Sequence, residues 1–137
     1  MKKELDILYK HIFADPRFEC LSKGDRNMVC LCVEYFITNF LSHIPLLFLY
    51  YFKKLAHFEL PHRFIYKYLF IMALLQLCCK WAEDEYYSNK SILNLFYNKN
   101  ECAFFTQIEL KIFQALDYNM YVSKETYEAF VEQEMKD

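Results

Sequence analysis

Glycine is almost missing from this chain: Gly24 stands alone among 137 residues, and proline occurs only at Pro16, Pro45 and Pro61. Tight β-hairpin turns draw on these residues for backbone angles that others avoid, so an antiparallel sheet architecture lacks its corners. The same shortage removes glycine-rich phosphate loops and dinucleotide fingerprints, which need glycine where the backbone comes close to a phosphate. No cofactor is expected.

An excess of positive charge is also absent. The formal net charge is −2, and lysine and arginine are scattered, with only the short pairs Lys2-Lys3 and Lys53-Lys54. Without a basic stripe, nucleic acid is not an expected partner. No Cys-x-x-Cys pair occurs among Cys20, Cys30, Cys32, Cys78, Cys79 and Cys102, and no two of His11, His43, His57 and His62 stand four residues apart. A metal site is therefore not expected, and the cysteines read as buried thiols of a reducing compartment.

Long uninterrupted apolar runs are lacking as well. The run 36–52 is broken by Asn39, Ser42, His43 and Pro45, and the run 68–79 is much shorter than the roughly 20 residues that span a bilayer. Residues 1–10 carry Lys2, Lys3, Glu4, Asp6 and Lys10, too charged for the core of a secretory signal. The expectation is an intracellular chain with no membrane partner.

What is present is core material: 55% of residues are hydrophobic and 20% aromatic, in a length of about one domain. Helical periodicity recurs over 3–14, 26–42, 45–57, 61–83, 89–97, 101–116 and 123–135. Pro45 and Pro61 suit first helical turns, Ser88 and Ser123 suit N-caps, and Asn98, Asn100 and Asn119 suit breaks. Residues 68–79 are apolar on every side except at Gln76, so that helix must be surrounded by the others. The prediction is a single all-α domain over 1–137, packed around a central apolar helix.

Two charged residues break the pattern. In 101–116, Phe105, Ile108, Ile112, Phe113 and Leu116 share one side and Gln107, Lys111 and Gln114 the other, yet Glu109 projects from the apolar stripe. Burying a lone carboxylate costs several kcal/mol, so it needs a cation or a partner's donors, and Lys80, ending the central helix, is the candidate cation. An ordinary surface ion pair is the plainer alternative. The acidic run Glu83-Asp84-Glu85 has no accompanying base or nucleophile and reads as a solvated helix end, so no catalytic site or small-molecule substrate is expected.

The order Leu77-Cys78-Cys79-Lys80-Trp81-Ala82-Glu83-Asp84-Glu85-Tyr86-Tyr87-Ser88-Asn89, followed by Ile108-Glu109 and Leu116-Asp117-Tyr118-Asn119-Met120-Tyr121-Val122-Ser123, resembles a cyclin box. It is most similar to the small single-box cyclins of the fungal phosphate-response type. The resemblance covers about 26–122 and implies five box helices, flanked by an N-terminal helical extension over 1–25 and a C-terminal helix over 123–137. It also implies a non-catalytic subunit that binds and activates a cyclin-dependent kinase in the nucleus or cytoplasm. Lys80 and Glu109 would hydrogen-bond backbone groups near the kinase's regulatory helix, with Trp81, Phe104 and Phe105 as apolar contacts. Where cyclins commonly carry an Asp-Arg pair near the end of the second box helix, this chain has Lys53-Lys54. The competing expectation is a helical adaptor of the same fold that activates no kinase.

Overall fold

The chain, seen here as a computed structural model, is described over residues 2–37, 44–82 and 99–136. Every regular element among them is an α-helix, as the scarcity of turn residues predicts: α1 (Lys2–Ala14), α2 (Lys23–Ile37), α3 (Ile44–Lys54), α4 (Phe64–Ala82), α5 (Lys99–Ala115) and α6 (Lys124–Met135). The helix expected at 89–97, the cap expected at Ser88 and the acidic run Glu83-Asp84-Glu85 lie outside the described residues.

Local hydrogen bonds account for the helix ends. Ser22 starts α2 three residues earlier than its apolar period suggests, because its hydroxyl oxygen accepts from Asp25 N–H at 3.1 Å and its carbonyl from Arg26 N–H at 2.9 Å. Ser123 has the extended backbone of an N-cap and accepts from Thr126 N–H at 3.1 Å. Pro61, expected inside the first turn of α4, instead precedes a helix that begins at Phe64.

α4 is the centre. Helices α2, α3 and α5 all pack on it, while α1 packs on α3 and α6 on α1. Ten α4 residues, Gln76 among them, are buried, which is why this segment has no polar face. Among the described residues α4 is the one helix long and apolar enough to cross a membrane, and the other helices enclose more than half of it. Burying a Leu- or Phe-sized side chain contributes about 1.5–3 kcal/mol, so a charge at Leu74 or Ile71, both fully buried, would undo the packing of three helices at once. The N-terminal segment shares this core, since Leu8, Ile12 and Phe18 have no exposed area.

Arg17 ties that segment to the end of α3. Its guanidinium donates from Nε and Nη2 to the two carboxylate oxygens of Asp15, each at 2.9 Å, and from Nη1 to the carbonyls of Leu55 at 3.0 Å and Phe58 at 2.8 Å. The Leu55 carbonyl also accepts from Phe58 N–H at 3.0 Å, so the guanidinium caps a turn that follows α3, which stops at Lys54 where its apolar pattern continues to 57. The same guanidinium lies over the rings of Phe18, Phe52 and Phe70, with its carbon 5.9, 5.3 and 5.4 Å from their centroids.

α6 is held differently: none of its residues is buried. Phe130 and Tyr127 set their rings edge-on against Tyr50 of α3, and Glu134 joins three helices by pairing with Lys53 of α3 and with His11 Nε2 of α1 at 3.1 Å. Lys53 thus anchors the C-terminal helix. All six cysteines are free, and Cys32, Cys78 and Cys79 are buried. Burial pushes the Cys32 thiol up to about 12 and the Cys78 thiol well above its ordinary value.

Candidate functional site

The packing of α5 against the last turns of α4 brings the two charged residues singled out in the sequence together. Lys80 Nζ lies 3.1 Å from Oε1 and 3.2 Å from Oε2 of Glu109. The two side chains are 29% and 12% exposed, so the pair sits at the rim of the core rather than in open solvent. An ammonium has three donors and a carboxylate about four acceptor positions, and this contact leaves capacity for further hydrogen bonds on the open side.

Glu109 also lines a groove of about 350 Å³, together with Leu77 of α4 and Thr106, Leu110 and Phe113 of α5. Apart from Glu109 and one hydroxyl the lining is hydrocarbon, and Leu110 is 54% exposed. The groove therefore offers apolar area along one flank of α5 and a bidentate ion pair at its edge. No nucleophile with a neighbouring base is part of it, and among the described residues no three His, Cys, Asp or Glu side chains gather in a metal-holding group.

The chain leaves α5 through a turn that shapes one end of this flank. Tyr118 N–H donates to the Phe113 carbonyl and Asp117 N–H to that of Gln114, both at 2.9 Å. Asp117 and Tyr118 both have φ of 56°. This is a Schellman-type helix end, made without glycine by an aspartate that tolerates the left-handed region and a tyrosine that ordinarily avoids it. The Tyr118 ring stands edge-on to Phe113 at 5.5 Å, the apolar contact that accompanies such ends. The Leu-Asp-Tyr-Asn order of the sequence is the chemical signature of this turn.

The three aromatics expected to contact a partner part company. Trp81 is 52% exposed, next to Lys80. Phe104 is half-buried, turned toward the other flank of α5 and packed 4.5 Å from the Tyr66 ring. Phe105 has no exposed area: its position points straight at α4, so it belongs to the core and presents nothing to a partner. Leu77, Leu110 and Phe113 line the groove instead. Leu110 had a signal in the sequence, an apolar residue on the flank that helical spacing leaves wet; Leu77 and Phe113 could not be told from core residues.

No protein-family model, no curated protein and no solved structure matches this chain.

Proposed function

We propose that this chain is a non-catalytic regulatory subunit that binds a cyclin-dependent protein kinase and activates it by holding the kinase's regulatory helix in its active position. The observation that carries the reading is the Lys80–Glu109 pair at the rim of an apolar groove. A helix laid along α5 can place its apolar side on Leu77, Leu110 and Phe113 while its backbone meets an ammonium and a carboxylate, which together read donors and acceptors. The resemblance of residues 26–122 to a cyclin box supports the same two residues for the same task. Activation then works by population shift: the kinase conformation whose helix contacts the groove is favoured by its extra binding energy, and the kinase supplies all the chemistry. The intracellular setting, in nucleus or cytoplasm, belongs to this reading.

The test is a pull-down from the source cell's extract with the wild-type chain and a Lys80→Ala, Glu109→Ala double variant, followed by identification and assay of bound kinases. A kinase retained and activated by the wild type and lost with the double variant supports the proposal. A wild type that retains no kinase overturns it in favour of an adaptor whose ion pair is purely structural.

A further inference from the structure

The other flank of α5 carries clefts that kinase binding leaves unexplained. The largest, about 480 Å³, lies between the α3–α4 connection and α5, with Phe58, Leu60, Phe104 and Ile108 among its lining residues. A second cleft begins on the far side of Phe104 and runs past Tyr66 and Arg63 to Asn100, and a third adjoins the first at Phe58 and Glu59 and ends at Lys54 and Ala115. Together they form a trough along α5 from Ala115 to Asn100, about 22 Å at the helical rise. That length matches about seven residues of extended peptide.

Its charge is distinctive. Lys54, Arg63 and Lys111 face Glu59 and Glu101 along the trough, and His57 and His62 add positive charge when protonated. Among the described residues that line the trough the cations thus outnumber the carboxylates by one, on a chain whose net charge is −2. Neither Arg63 nor Lys111 has an ion-pair partner among the described residues, whereas the lysine and arginine that build the fold, Lys53 and Arg17, are fully engaged. Both cations are exposed and flank the Phe104 ring that divides the trough, Arg63 on one side and Lys111 on the other.

We propose that this trough is a docking site for an extended acidic peptide segment of a protein partner, whose apolar side chains fill the clefts on either side of Phe104 and whose carboxylates meet Arg63 and Lys111. Opposite potentials along the two chains set register and speed encounter, and the clefts supply the apolar anchors that charge alone lacks. The site lies on the flank of α5 away from Lys80 and Glu109, so both surfaces can be occupied together. Docking of this kind brings an acidic protein to whatever is bound in the groove.

The test uses the full chain and a fluorescent peptide of about seven residues that alternates glutamate with phenylalanine and leucine, beside a twin with lysine at each glutamate position. Fluorescence anisotropy is expected to show binding of the acidic peptide at least about tenfold tighter than of its basic twin. It should weaken as ionic strength rises from about 0.05 M to about 0.3 M. An Arg63→Glu, Lys111→Glu variant, both positions being exposed, should keep its helical circular dichroism and lose the preference, and the Lys80→Ala, Glu109→Ala variant should keep it. Equal binding of both peptides, an affinity indifferent to the charge reversal, or binding of uncharged small aromatics alone would overturn the proposal. Loss of peptide binding in the Lys80, Glu109 variant would also overturn it, by moving the peptide to the other groove.

Discussion

Glu109 accepts from Lys80 through both of its carboxylate oxygens, so the residue that interrupts the apolar stripe of α5 is answered by the residue that ends the apolar run of α4. Each charge is held at the rim by the other. Because both side chains retain some contact with solvent, the pair contributes about 0–1 kcal/mol to folding. Glu109→Ala and Lys80→Ala should each unfold in urea within about 1 kcal/mol of the wild type, while kinase retention falls at least about tenfold. A variant that unfolds early and binds normally after correction for the folded fraction would assign the pair to stability instead.

Arg17 is the opposite case, a cation fully committed to structure. It makes two bonds to Asp15, two to main-chain carbonyls and three ring contacts. Arg17→Ala should cost about 2–4 kcal/mol, since it removes four charge-assisted hydrogen bonds and three ring contacts, and takes the guanidinium donor from the Phe58 carbonyl. Arg17→Lys should recover less than half, because an ammonium cannot bracket a carboxylate and reach both carbonyls at once. Urea midpoints at constant slope check both.

The same clasp predicts an acid limb of stability. Burial works to raise Asp15, but the side-chain and main-chain hydrogen bonds from Arg17 and its charge outweigh it, so the carboxyl titrates below its ordinary value. A lowered folded-state pKa means that the clasp's contribution is fully present above the unfolded aspartate value of about 3.9 and is lost as pH falls through the folded one. Asp15→Asn should be less stable at neutral pH and lose less on acidification. At the alkaline end the signs reverse: burial pushes the Tyr127 phenol up to about 12 and those of Tyr51 and Tyr68 higher still. Stability should therefore decline as pH rises past the free phenol value of about 10. Thermal midpoints across pH test both limbs.

α6 should be the first helix to open. It buries no residue and depends on rings at the surface of α3 and on Glu134 between Lys53 and His11. Exposed ion pairs weaken with salt, so amide hydrogens of 124–135 should exchange faster at high ionic strength and in Glu134→Gln, while those of α4 do not change. Exchange that rises uniformly in all helices would mean α6 opens only with the whole chain.

The sequence carried the parts of this molecule that follow from local spacing. The turn-poor composition specified helices, the lack of a polar face put 68–79 at the centre, and one misplaced glutamate led to its lysine. It did not carry the distinctions that need a third dimension. Helical spacing put Phe105 on the apolar stripe and left Phe104 beside it, but it could not say that the first would be wholly enclosed and the second would lie on the far flank against Tyr66. The Arg17 clasp was equally silent, because two of its acceptors are main-chain carbonyls about forty residues away, and carbonyls look alike in every sequence. Lys53 gave no sign of its role; its partner on α6 closes a loop of 81 residues, beyond the reach of any periodicity.

Burial of Cys32, Cys78 and Cys79 gives the chain a built-in clock. A thiol must be exposed to be alkylated, and these three are shut away while the helices stay packed. Cys20, in the connection between α1 and α2, is exposed, so a maleimide added to the native protein marks that residue first. Cys30 and Cys102 are partly exposed and follow, so each mass increment beyond the third on the intact chain records an occasion on which the interior came apart. The rate at which the heaviest species appears measures how long the core stays shut between openings, with no label introduced by mutation.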